Sequence, residues 1–310
     1  MYAPEGMLIS TPRNYEYISS PEGLSRALAR GAILEAQAVL CDHRMNLHIE
    51  LGAKIKGIIP REESQYLRAD EEIKDIAILT RVGKPVCFKV MGFENGKNGE
   101  RVAILSRRAA QRECAEVYLS SLAPGDIIPA RITHLESFGA FVDVGCGISS
   151  LLSIDCISVS RIAHPSARMT VGDSIYTVVK SIDERGRIYV SQKELLGSWE
   201  ENAGQFSEGE TVRGIVRSVE SYGIFVELKP NLAGLAEYRA DVYPGQTCAV
   251  YIKSIIPDRM KIKLIIIDAH DSREQEYSPP EYYVDTERVS HIDSWQYSPP
   301  GSRKVIETVF

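Results

Sequence analysis

The 310 residues carry 42 acidic and 36 basic side chains, a formal net charge of −6, with 44% hydrophobic and 25% charged residues. That length exceeds one ordinary core and suits two or three small domains; the composition excludes a wholly disordered chain, and no apolar run is long enough to cross a bilayer. The acidic balance also excludes a protein that coats nucleic acid by bulk attraction, so any nucleic-acid contact has to be local.

In chain order, residues 1–20 mix Pro, Glu, Arg and Tyr without a basic stretch leading into an apolar core. That pattern argues against a secretory signal and for a cytoplasmic location. Ser20-Pro21-Glu22 is a helix start, with Ser20 as cap and Pro21 in the first turn, inside an N-terminal segment at 1–30. Residues 31–106 then hold short apolar runs at 31–40, 45–52, 82–90 and 102–106, a divergent first unit. The stretch 107–121, rich in Ala, Glu, Arg and Leu, predicts a helical linker.

Next comes an internal repeat. Glu136-Ser137-Phe138-Gly139-Ala140-Phe141-Val142-Asp143-Val144 recurs as Glu220-Ser221-Tyr222-Gly223-Ile224-Phe225-Val226-Glu227-Leu228, and the flanking strands match as well. The repeat defines a second unit at 122–191 and a third at 206–268, separated by a second helical linker at 192–205. Apolar and polar residues alternate in each unit, the period of half-buried strands. About five strands in so few residues bury a core only by closing the sheet. The fold expected is therefore all-β and modular: three tandem five-stranded OB barrels joined by short helices, with an extended tail. Gly139 and Gly223 mark a bend in the barrel or the close approach of a ligand. The tail, 269–310, has eight acidic and four basic residues and a YSPP sequence at both 277–280 and 297–300, and is expected to be disordered.

The six cysteines (Cys41, Cys87, Cys114, Cys146, Cys156, Cys248) form no CxxC pair and are taken as reduced thiols in or near cores. Cys41, His43 and His48 supply too few soft ligands for a metal site. No metal or cofactor is expected. There is no GxxxxGK[ST] loop, and the carboxylate groups Asp42, Glu62-Glu63 and Asp70-Glu71-Glu72 fall in the divergent unit as solvated surface. An enzyme is not expected.

The run 137–144, with Gly172-Asp173, Ser181-Ile182-Asp183 and Arg187-Ile188-Tyr189-Val190-Ser191, resembles the S1 RNA-binding domain. Over residues 30–268 the chain resembles the shorter multi-domain ribosomal protein S1 homologues of Gram-positive bacteria. The resemblance implies OB barrels that bind single-stranded RNA (mRNA) and act in translation at the small (30S) ribosomal subunit. Carried over by residue, it assigns RNA contact to Phe138, Phe141, Asp183 and Arg187 in unit two, with Ser153 in place of the usual histidine and Ser150 in place of the glycine before it. In unit three it assigns Tyr222 and Phe225, with Lys261 in the place of the arginine, Glu237 in that of the histidine and Ile256 in that of the acidic residue. Unit one has Met45 and His48 for the aromatics and Pro60 for the histidine, which implies docking to a protein rather than to RNA.

The residues support this reading on their own terms. A base stacked on an exposed ring gains about 1–3 kcal/mol whatever its identity, Arg187 can meet a phosphate or stack, and Asp183 can accept from base or ribose. An aromatic at an alternating strand position is more often core than platform. The repeated pair with a Gly between, beside the Asp183/Arg187 couple, turns at least one ring per pair outward. Arg131, Arg213 and Arg217 are expected to be solvated charges in a supporting role. Two other readings are a protein-interaction scaffold and an RNA-turnover regulator without catalysis of its own.

Overall fold

The computed structural model describes residues 2–52, 55–67, 72–96, 100–271 and 279–310. Asp70 and Glu71, and Tyr277 and Ser278 of the first YSPP, lie outside the described residues. The chain divides into two compact units, one of residues 1–122 with 143–149 and the other of 123–142 with 150–310.

Unit one begins with α1 (Pro12–Ile18) and α2 (Pro21–Arg30), whose caps Thr11 and Ser20 accept from the amides of Asn14 and Gly23. Each cap satisfies a donor that the first helical turn leaves unpaired. Gly31, at φ 59°, ends α2 in the left-handed conformation that glycine adopts without strain. The first barrel follows as β1 (Ile33–Cys41), β2 (Leu47–Glu50), β3 (Lys56–Ile59), a short α3 (Asp75–Leu79), β4 (Pro85–Asn95) and β5 (Arg101–Ser106). Its closed order is β1-β2-β3-β5-β4, with β3 and β5 parallel. Leu34, Ala36 and Ala38 alternate into the interior against Leu47, Ile49, Val86, Phe88 and Leu105, and Leu24 and Ala27 of α2 join the same core.

The linker expected at 107–121 is a short helix, α4 (Arg107–Glu113), capped by Ser106 and continued by a π turn at Cys114–Tyr118 and a 3-10 turn at Leu119–Ser121. Beneath it lies a buried polar cluster. Arg107 forks onto Glu5 at 2.7 and 3.0 Å, and Asp143 accepts from the amides of Glu5 (2.6 Å), Gly145 (2.8 Å) and Gly147 (3.0 Å). Burial and the neighbouring Glu5 carboxylate push Asp143 up to about 7, against the amides of Glu5 and Gly145 and the charge of Arg107.

The second barrel is built from β6 (Ile127–Glu136), β7 (Gly139–Asp143), β8 (Ser149–Ser153), β9 (Ser174–Ile182) and β10 (Ile188–Ser191). The second linker is broken at Gly197, φ 81°, into a 3-10 turn at Lys193–Leu195 and α5 (Trp199–Ala203), which Ser198 and Glu201 start with a capping box. The third barrel is β11 (Thr211–Glu220), β12 (Gly223–Lys229), β13 (Leu232–Ala236), β14 (Thr247–Ile256) and β15 (Lys261–His270). Both barrels repeat the connectivity of the first, including the parallel pair β8–β10 or β13–β15. Three closed five-stranded OB barrels joined by short helices are thus the architecture. Gly139 and Gly223 sit at the bend: a Cβ there would run into the carbonyl oxygens of Leu152 and Ala236 on the adjacent strand.

The tail departs from expectation. Residues 279–310 are extended but laid down on the second unit. Ile127 N donates to Ser290 O at 2.8 Å, Asp126 bridges to His291, and Tyr176 N donates to the Tyr282 hydroxyl at 2.8 Å. Trp295 and Tyr297 enter the core of the third barrel, where the Tyr297 hydroxyl donates to Asn231 O at 2.6 Å. A final hairpin pairs β16 (Ser294–Gln296) with β17 (Glu307–Val309). Composition suggested disorder because few aliphatic residues are consecutive; two large rings inserted into a pre-formed core achieve the burial that the tail alone cannot.

Candidate nucleic-acid interface

Phe138 stands just before β7 and Phe141 within it. Ala140 and Val142, which flank Phe141, are fully buried, so strand alternation turns Phe141 outward. Phe138 is 51% exposed, and the two rings meet edge to face with centroids 6.0 Å apart and planes at 89°. Tyr222 and Phe225 repeat this arrangement at 6.1 Å and 87°, with Tyr222 69% exposed. Each pair therefore has one outer ring open to solvent and one half-buried ring bracing it, a geometry that the aromatic quadrupole favours.

Around the first pair, Ser153 is half-buried at the end of β8, beside Gly139, and the Phe138 carbonyl accepts from Ile154 N at 2.9 Å. Asp183 closes the turn between β9 and β10: its Oδ1 accepts from the amides of Arg185 (2.9 Å) and Arg187 (2.8 Å). The carboxylate thus shapes the loop that presents Arg187, whose residue is exposed. In the third barrel Lys261 is exposed at the start of β15, opposite Ile256, and Glu237 is exposed beyond β13.

Cross-strand register adds residues that sequence comparison did not single out. Phe225 lies opposite Ser218 on β11 and Leu235 on β13, and Leu235 lies beside Lys263 on β15. Lys263, not Lys261, is the lysine in line with the aromatic pair. The alternation Lys261-Ile262-Lys263 was the available signal, since Ile262 is buried and both lysines are exposed. In the second barrel His134 stacks on Phe141 at 6.4 Å and 24°, and Tyr189 on β10 pairs with Leu151.

Arg217 is not the solvated charge expected. With Arg168 it forks onto Glu227, its Nε and Nη2 at 2.8 and 3.0 Å, and the Glu227 side chain is only 4% exposed. Burial raises the Glu227 carboxyl and the two guanidiniums outweigh it, so the net shift is downward. Arg131 donates through Nε to Gly172 O at 3.1 Å, while Arg213 is exposed.

Barrel one carries no such pair. Met45 occupies a turn at φ 63° and packs against the core, and His48 faces Asp42 at 3.4 Å. Asp42 anchors that turn: hydrogen bonds from Asn46, Arg44 and His48 overcome the effect of burial and hold it at about 2. Pro60 precedes the 3-10 turn Arg61–Glu63, and Val39, Leu40 and Met91 are exposed. Among the described residues no group of three or more His, Cys, Asp or Glu could hold a metal ion, and no helix is long and apolar enough to cross a membrane.

Comparison with known proteins follows these boundaries. The family model of the S1 RNA binding domain matches residues 121–193, which is the second barrel. Small ribosomal subunit protein bS1 of Staphylococcus saprophyticus is 28% identical over 278 residues, covering 84% of this chain and 67% of that protein. The protein of the same name from Staphylococcus aureus (strain COL) is 28% identical over 302 residues, covering 91% and 74%. Among solved structures, a multidomain protein with nucleic acid binding domains from Streptococcus pneumoniae aligns over 81% of this chain at 15% identity, covering 78% of its own, with a TM-score of 0.24, too low to relate the folds. The chain has a family-level match to ribosomal protein bS1, and its barrels are S1-like OB barrels.

Proposed function

We propose that this chain, matched at family level to ribosomal protein bS1, is a non-catalytic single-stranded RNA-binding protein of the translation apparatus that works in the cytoplasm. Bases stack on Phe138 and Phe141 of the second barrel and on Tyr222 and Phe225 of the third. Arg187, Lys261 and Lys263 meet phosphates, Ser153 borders the first platform, and Asp183 fixes the loop that carries Arg187. The carrying observation is the same edge-to-face pair, with one ring open to solvent, at matching positions of two barrels. Barrel one, without rings and with exposed Val39, Leu40 and Met91, fits a protein-docking role, with the small ribosomal subunit as partner by analogy with the relatives.

The test removes the outer rings, which contribute little to either core. Phe138→Ala with Tyr222→Ala is expected to weaken binding of an unstructured pyrimidine-rich oligoribonucleotide by about 1–3 kcal/mol per lost stack, read by fluorescence anisotropy, with unchanged thermal unfolding. Unchanged affinity in the folded double variant would reject stacking and favour the scaffold reading, which the apolar surface of barrel one already supports in part.

A further inference from the structure

A cleft of about 370 Å³ opens in the second unit where Arg168, Arg213, Arg217 and Lys229 converge and where Glu281 of the tail reaches in. A cavity of that size falls within the range of small-ligand sites. Its charge is unlike that of the molecule: four cations face the buried Glu227 and the tail's Glu281, a local excess of two positive charges in a chain of net charge −6.

The four cations are not equivalent. Arg168 and Arg217 are locked onto Glu227 and form a fixed wall. Lys229, 27% exposed, is paired at 2.7 Å with Glu281, whose side chain is 63% exposed, and the exposed side chain of Arg213 has no hydrogen bond or ion pair among the described residues. Arg213 and Lys229 are thus the exchangeable cations of the lining, the lysine covered by a solvated carboxylate that water and another anion can replace. An exposed pair of that kind is weakly held.

The cleft and the aromatic platform share a strand: β12 carries Phe225, then Glu227 and, past a shift in register, Lys229, which lines the cleft. At ~3.3 Å per residue, Lys229 lies about 13 Å along the strand from the ring, within reach of the next nucleotides of a bound strand.

We propose that this cleft is a phosphate-binding site for the RNA strand stacked on Tyr222 and Phe225, and that the tail's Glu281 carboxylate is its built-in competitor. The inference rests on the stacking proposal for the strand's position, but its chemistry is separate: anion capture by Arg213 and Lys229.

The test is anisotropy titration of a labelled single-stranded oligoribonucleotide with the full chain at several salt concentrations. Arg213→Gln with Lys229→Gln, two surface changes that leave the Glu227 triad intact, is expected to lower affinity several-fold. It should also reduce the slope of log K against log salt by about 1.4, two contacts at ~0.7 each. Glu281→Gln is expected to raise affinity about 3-fold, the scale of losing one solvated ion pair that competes for Lys229. A slope unchanged in the double variant while Phe138→Ala with Tyr222→Ala weakens binding overturns the cleft and leaves stacking standing. A reduced slope with no effect of the ring variants supports anion capture and overturns stacking. Titration with pyrophosphate identifies the source of the phosphate: weak binding of pyrophosphate that competes with the oligonucleotide supports a site for the strand's phosphates, whereas tight binding of pyrophosphate that leaves the oligonucleotide in place overturns the assignment to RNA.

Discussion

Asp143 and Glu227 occupy the same position of the repeat, and both are buried, yet their surroundings give them opposite pH behaviour. Asp143 is raised to about 7 by burial and by Glu5, from 3.8. A carboxyl raised in the folded state contributes stability that is present below the unfolded value and is lost as pH rises through the folded one. Glu227, held below 4.5 by Arg168 and Arg217 in spite of burial, contributes stability present above 4.5 and lost as pH falls through its folded value. Urea unfolding across a pH series is expected to show both limbs. Asp143→Asn should flatten the decline between about pH 4 and 7, and Glu227→Gln should remove part of the acid-side loss. Glu227→Gln should also lower stability at neutral pH by about 3–5 kcal/mol, the cost of leaving buried guanidiniums without their partner. The same pH slope in wild type and Asp143→Asn would contradict the raised carboxyl. Sequence comparison displayed the matched acidic position but not its function, because the partners Glu5, Arg107 and Arg168 lie far away in the chain.

At the scale of elements, the strands were legible and the tail was not. Alternation of apolar residues and the repeated Gly between aromatics carry the strands and bends locally, since burial on a closed sheet has period two and the neighbouring carbonyl excludes a Cβ at Gly139 and Gly223. Linker helices were legible in kind but shorter than expected, because Gly197 interrupts the second. For the tail, Trp295 and Tyr297 provide the anchoring, and a sequence of prolines and acids gives no sign that two rings will find a core elsewhere. Trp295→Ala is therefore expected to destabilise the second unit by about 3–5 kcal/mol, as loss of a buried ring does. Thermal unfolding checks this; a disordered tail would leave the transition where it is. In the site, the two ring pairs were legible because the repeat doubled the signal, whereas Lys263 became visible only through cross-strand register and His134 only through its ring contact with Phe141.

For the molecule as a whole, charge and shape make competing demands that a single measurement separates. A chain of net charge −6 gains nothing from bulk attraction to a polyanion, so capture by charge depends on local positive areas such as the cleft of Arg213 and Lys229. If those areas alone captured RNA, a duplex would be the better ligand, since its two backbones present more phosphate per unit length than a single strand. The outer rings Phe138 and Tyr222 ask for the opposite: a base must be unpaired and splayed to lie on them, and stacked pairs in an A-form helix offer no free face. The expected outcome is a clear preference for an unstructured single strand over a duplex of equal length, retained as salt rises, because stacking is less sensitive to ions than phosphate contact. Electrophoretic mobility shifts at two salt concentrations with both ligands measure this. Equal binding of the duplex at low salt, vanishing at high salt, would mean that the cations hold the RNA and the rings only stabilise their barrels.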